Sequence, residues 1–261
     1  MSEERTHSFP YHLIPAALTA LLLAVWIYRW MNLPPDAPIV KPLFRIARYS
    51  NLLPCFLGFL FFRSLKTDLR ILLALVAAGV ILEVASWIST EIAFQRREDA
   101  NIMYVFHIYT IAEFILLLLI FRQWHLGRKN EKTVLTTGLV VLSLIIASKI
   151  YTGIWQVGED LDTIASTVEG VVVVTLAVLT LINLTGDDII HIFEDPRFWV
   201  VSAIMFYFAG NLIIFALGLG ELSVDDQEII WSMHSALNIS ANTLYAFAFY
   251  LSHVRAKRAI R

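Results

Sequence analysis

Residues 69–90 read LRILLALVAAGVILEVASWIST, and this stretch decides the fold. Over 22 residues it carries two ionisable side chains, Arg70 at its edge and Glu83 inside it. A hydrocarbon core about 30 Å thick needs about 20 mostly apolar residues in a helix that rises 1.5 Å per residue. The run has that length, so it predicts a helix whose solvent is lipid. It also carries the first hint of function. Glu83, Ser86, Trp87 and Thr90 stand at i, i+3, i+4 and i+7, which puts them on one face of the helix. A span that is apolar outward and polar along one stripe must turn that stripe toward other helices or toward water.

The pattern repeats in both directions. Spans are predicted over 13–31, 43–62, 69–90, 102–121, 133–151, 163–184, 198–218 and 229–251. Together they make one all-α transmembrane domain over 1–261, a polytopic helix bundle of about eight spans: a seven-span core plus an N-terminal span. Composition agrees, with 58% hydrophobic and 16% charged residues against roughly 25% charged in soluble domains. Pro34, Pro35 and Pro38 stop the first helix, Gly127 follows the fourth, Gly186 follows the sixth, and Pro196 opens the seventh. The first span is read as retained, because Glu3, Glu4 and Arg5 stand where a leader would be basic and no A-x-A-like cleavage site follows. The second span is irregular, interrupted by Arg45, Arg48, Ser50, Asn51 and Pro54. It predicts a short interfacial helix from near Lys41, entry into the bilayer around Leu52, and two arginines snorkelling to the surface.

Cations set the orientation, since Lys and Arg are retained on the cytoplasmic side. One side collects Arg5, Arg63, Lys66, Arg70, Arg122, Arg128, Lys129, Lys132, Arg197, Arg255, Lys257, Arg258 and Arg261, which is 13 of the 20. The other side holds the acidic groups Glu159, Asp160 and Asp162, and Glu221, Asp225, Asp226 and Glu228. Both termini are therefore expected to be cytoplasmic, in a multi-pass protein of the cell (inner) membrane. Trp30, Trp124, Trp199 and Trp231 fall near span ends, where amphipathic rings form a belt at the headgroups.

Four motifs carry a resemblance: YSNLLPCFLGFL at 49–60, HIYTIAEFILL at 107–117, FWVVSAIMFYFAGNLIIF at 198–215 and IWSMHSALNISANTLYAFAF at 230–249. From about Tyr49 onward the chain resembles an uncharacterised family of bacterial seven-helix integral membrane proteins. The resemblance implies a seven-helix core to which the first span is an addition, and it implies no activity. VKPLF at 40–44 is similar to the entry of the second span in lysoplasmalogenase-like membrane hydrolases, eight-span enzymes acting on lipid. No Gly-Asp pair of the kind associated with that active site lies within a predicted span; Gly186–Asp187 falls just past the end of the sixth.

Ionisable groups inside a bilayer cost about 2.5 to 3.5 kcal/mol each at the helix centre. Glu83, His107, Glu113, Glu169 and His234 are such groups, with Lys149 near the external end of its span. His107, Thr110 and Glu113 fan across about 120° of the fourth helix at 100° per residue. Asp162, Ser166 and Glu169 follow i, i+4, i+7, Tyr207 and Asn211 follow i, i+4, and His234, Asn238, Asn242 and Tyr245 follow i, i+4, i+8, i+11. Most of these lie in the outer half of the membrane, with Glu113 and Asn242 near its middle. The expected assembly is a polar cavity lined by Glu83, His107, Glu113, Glu169, Asn211, His234, Asn238 and Asn242. Interhelical hydrogen bonding alone would account for the Ser, Thr and Asn positions.

Three functions fit such a cluster. A receptor or sensor would bind a small molecule or lipid, cationic or hydrogen-bonding, and signal to a cytoplasmic partner protein through the basic loops. An intramembrane hydrolase acting on a lipid would use His107, His234 and a glutamate such as Glu83 to hold Zn²⁺, although no H-E-x-x-H motif is present. A proton or cation transporter would use the glutamates, although neither an internal repeat nor Gly/Pro-broken helices in matching halves are seen. The first reading needs no cofactor and no enzyme activity. The net charge of -2 and the absence of a basic, aromatic-rich stripe exclude nucleic acid as a partner. No P-loop, G-x-S-x-G or C-x-x-C motif occurs, and the single cysteine, Cys55, is read as a small buried apolar residue.

Overall fold

The computed structural model describes residues 40–96, 103–128, 130–152, 159–187, 191–217 and 224–260. The predicted first span, 13–31, lies outside the described residues. Among those described the chain is helical without strands: α1 (Val40–Tyr49), α2 (Leu52–Leu60), α3 (Thr67–Arg96), α4 (Met103–His125), α5 (Glu131–Thr152), α6 (Glu159–Asp187), α7 (Pro196–Leu217) and α8 (Val224–Ile260). Short 3₁₀ turns at Phe62–Ser64 and Ile192–Glu194 carry the chain into α3 and α7.

Among the described residues five helices are long and apolar enough to cross a membrane, over Thr67–Ser86, His107–His125, Glu131–Tyr151, Ser166–Gly186 and Pro196–Ile214. They overlie the third to seventh predicted spans. The 37 residues of α8 exceed the length of a span, but Asn238, Ser240 and Asn242 dilute its apolar character. The second predicted span is two helices with a break at Ser50 and Asn51. At 1.5 Å per residue α2 reaches only about 14 Å, so neither piece spans a bilayer alone.

Helix ends follow local chemistry. Gly127 takes φ 73° just past α4, the left-handed conformation that glycine adopts without a Cβ penalty. Asp195 caps α7: its Oδ1 accepts the Arg197 N–H at 2.9 Å, with Pro196 between them at the first helical position.

The helices close into a ring. Going round it, α3 packs on α4, α4 on α6, α6 on α7, α7 on α8, and α8 on both α1 and α2, which return to α3. Helix α5 stands outside, seated between α4 and α6. In lipid the apolar surfaces of these helices gain little from mutual burial, so close packing and interhelical hydrogen bonds hold the ring.

At one end the ring is filled. Phe121, Leu72, Ile120 and Val200 are essentially inaccessible there. The Trp124 Nε1–H donates to Asp68 Oδ2 at 2.9 Å, tying α4 to α3. His125 Nε2 meets Thr180 Oγ1 at 3.0 Å, tying α4 to α6, and Phe61 stacks on His253 at 4.2 Å. Trp124 is thus buried, 8% exposed, and not part of an outward belt as its place near a span end had predicted. A buried indole satisfies its N–H on a carboxylate more firmly than on the interface.

Candidate functional site

Toward the other end the ring encloses a cavity of about 700 Å³. Its wall takes Asn51 from the break between α1 and α2, Glu83 from α3, Glu113 from α4, Glu169 from α6, Asn211 from α7, and His234, Asn238 and Asn242 from α8. Seven of the eight residues expected from the sequence therefore face one space. His107 is the exception: it is buried, 6% exposed, but is not among the residues that line the cavity. Its offset of about 120° from Glu113 around α4 turns it off that wall. The side chains of Trp87, Thr90 and Asp162 lie outside the described residues.

Gly79 sets the approach of α3 to the α1–α2 break. A Cβ there would stand 2.9 Å from Asn51 Nδ2, so a larger residue would push the Asn51 amide aside, while the Tyr109 hydroxyl at 3.6 Å would be in ordinary contact. The break is held from the other side by Asn242, whose Nδ2 donates to Ser50 Oγ and to Asn238 Oδ1, each at 2.7 Å. Ser50 in turn donates to the Ala47 carbonyl at 2.7 Å, closing the end of α1.

The three carboxylates differ in their surroundings. Glu83 Oε2 pairs with Arg48 Nε at 2.9 Å, and the half-exposed arginine places this pair at the rim. Arg48, half-exposed, thus has an acid across the bundle as a partner, one that its sequence position did not predict. Glu113 lies deeper, with the Tyr109 hydroxyl donating to its Oε1 at a long 3.5 Å. Tyr207 and Tyr245 are close enough to interact electrostatically with it. Glu169 is 4% exposed, and its Oε1 has no hydrogen-bond partner among the described residues. It lies within electrostatic reach of Glu113 and of Lys149, a buried lysine on α5 behind the wall.

His234 Nδ1 lies 2.8 Å from Asn211 Oδ1. With the amide in this orientation its oxygen only accepts, so Nδ1 carries the hydrogen and a neutral ring keeps a lone pair on Nε2. Tyr207 and Trp231 flank the imidazole, with centroids at 5.9 and 5.8 Å. Among the described residues no three of His, Cys, Asp and Glu come together as a metal-holding group. Of the candidate set His107, His234 and Glu83, the last two line the cavity and His107 is not among its lining residues.

Sequence reasoning passed over Asn51, Tyr109 and the role of Arg48. Tyr109 stands four residues before Glu113, a spacing that signals a shared face. The interruption at Ser50 and Asn51 was visible, but its insertion beside α8 was not.

Comparison with protein-family models, with curated proteins and with solved structures gives no match.

Proposed function

We propose that this chain is a receptor- or sensor-like integral membrane protein that binds a small ligand in a polar cavity within its helix bundle. The observation that carries the reading is the convergence of polar side chains from α3, α4, α6, α7, α8 and the α1–α2 break on one volume of about 700 Å³. Ligand cavities run from roughly 300 to 1,000 Å³, with a largely apolar wall and a few placed polar groups. Here Leu82, Phe208, Leu212 and Ile230 supply the apolar wall. Some of these polar groups are joined, as His234 is to Asn211 and Asn242 to Asn238, whereas Glu169 Oε1 faces the cavity without a hydrogen-bond partner among the described residues.

The bundle in this reading has about eight spans, the second crossing in two pieces, and both termini are cytoplasmic. Exposed Arg63, Lys66, Arg70, Arg122, Arg255 and Lys257 cluster at the filled end, which supports placing that end inside and the cavity in the outer half of an inner membrane. The same basic surface is where a cytoplasmic signalling partner would dock. The likeness to bacterial seven-helix membrane proteins remains part of this proposal.

The test uses the full chain in lipid nanodiscs. Amino acids, amines, polyols and lysophospholipids are screened for a saturable rise in melting temperature, which binding to the folded state alone produces. The same screen is run on Ala241→Phe, in which a ring fills the cavity from a buried position on its wall. A saturable rise in the wild type that disappears in the variant supports the reading. Shifts that are equal in both, or absent throughout, overturn it.

One observation favours a second reading, cation or proton transport: the helix break at Ser50 and Asn51 stands at the cavity wall, as interrupted helices do in transporters. Among the described residues no second broken helix matches it. Uptake of a labelled cavity ligand into sealed proteoliposomes, driven by a pH gradient, would replace the receptor reading with this one.

A further inference from the structure

The acidic and basic side chains around the cavity do not pair off, and the acid left without a basic partner specifies a ligand. Among the described residues three glutamates line it, and no Lys or Arg does. Glu83 has Arg48 at 2.9 Å, and Glu169 has the charge of Lys149 behind it. Glu113 has no cation among the described residues; its hydrogen-bond partner is the neutral Tyr109 hydroxyl at 3.5 Å. Around Glu113 stand three aromatic rings, Tyr109, Tyr207 and Tyr245, all on the cavity wall.

Acceptors also outnumber what the wall can satisfy. Glu169 Oε1 is buried without a hydrogen-bond partner among the described residues, and His234, with Nδ1 turned to Asn211 Oδ1, presents the lone pair of Nε2 when its ring is neutral. An open carboxylate, an unpartnered buried oxygen and an imidazole nitrogen all call for N–H donors, which an ammonium supplies and a carboxylate or phosphate does not. Aromatic faces add attraction for the same charge.

Resting on the receptor reading, we propose that the ligand is a singly charged amine with an apolar body, its ammonium seated against Glu113 among the three tyrosines and its body against Phe208, Leu212, Ile230 and Trp231. A primary or secondary ammonium fits better than a quaternary one, because Glu169 Oε1 requires an N–H. One seat lacks a protein cation, so a single charge completes the cavity.

The probes are 2-phenylethylamine, its neutral isostere 2-phenylethanol, and the N-trimethylated amine, titrated calorimetrically into the full chain in nanodiscs at neutral pH. The primary amine should bind at least tenfold more tightly than the alcohol and several-fold more tightly than the quaternary compound. In Glu113→Gln, where an amide replaces the carboxyl in the same shape, the amine should fall to the level of the alcohol with the melting temperature of the unliganded protein kept. If that variant fails to fold, Tyr207→Leu provides the second test: it removes a ring from the seat and should weaken the amine several-fold while leaving the alcohol unchanged. Amine and alcohol binding equally, with both lost in Ala241→Phe, would overturn the cation seat and leave the ligand cavity standing. Saturable binding of neither compound overturns the seat as well, and the wider screen then decides the cavity on its own.

Discussion

The filled end and the cavity half of this bundle both bury polar side chains, and they treat them in opposite ways. At the filled end Trp124 is matched to Asp68 at 2.9 Å and His125 to Thr180 at 3.0 Å. In the cavity, Glu113 has one long contact and Glu169 Oε1 none among the described residues. A buried polar group without a partner is costly, more so where the surrounding medium is hydrocarbon. Matched groups therefore read as fasteners between helices, and unmatched ones facing open volume read as groups awaiting water or a ligand. The difference teaches where to look for function in a bundle without a catalytic motif.

The largest effect separates the halves by packing. Phe121 is wholly buried at the filled end, whereas Phe208 already faces the cavity. Phe121→Ala should cost about 3 kcal/mol or more of unfolding free energy in lipid discs, and Phe208→Ala roughly half as much, because truncation beside an existing space removes fewer contacts. Equal losses would erase the distinction.

Polar substitutions come next and should differ in sign. Asp68→Ala strands the Trp124 N–H and should destabilise by about 1 to 3 kcal/mol. Glu169→Gln replaces an acid that lacks a full set of partners with a neutral amide, so denaturant titration should find stability unchanged or raised. A loss matching that of Asp68→Ala would mean that Glu169 is a fastener too.

A smaller effect concerns access. Arg48→Ala opens the rim pair with Glu83 and, because the arginine is half-exposed, should cost less than about 1 kcal/mol. With Cys55→Ser as background and a cysteine placed at Ala241, modification by a water-soluble thiol reagent should then speed up several-fold. An unchanged rate would show that this pair does not guard the cavity.

The smallest sharpens the filled end. Burial works against the Asp195 carboxylate, yet hydrogen bonds and charge from Arg197, helped by Arg255, outweigh it and hold the carboxyl below its ordinary range. Its folded value is lowered, so its stabilisation is complete above the unfolded value of about 3.9 and is lost as pH falls through the folded one. Asp195→Asn keeps the capping oxygen and drops the charge. Melting curves between neutral and acid pH should therefore be slightly flatter in the variant, by a few tenths of a kcal/mol for a pair this exposed.

Residues 69–90, 163–184 and 198–218 could be read as helices by length and apolarity alone, because every backbone group in hydrocarbon must find its partner within the same segment. The polar stripes of α3, α6, α7 and α8 were legible for a related reason: spacing of three and four fixes which side chains share a face. Spacing does not fix which face meets which neighbour. Whether His107 joins Glu113 or turns away, whether Arg48 reaches a headgroup or Glu83, and whether Trp124 sits in a belt or on Asp68 all depend on how α4 and the α1–α2 break dock in the ring. The sequence determined a membrane helix bundle and nearly all of its polar cavity residues, since both follow from one-dimensional periodicity in a known solvent. Only the tertiary structure decided the ring, the exclusion of α5 and the carboxylate left without a cation, because those are distances between helices that no period along a single helix encodes.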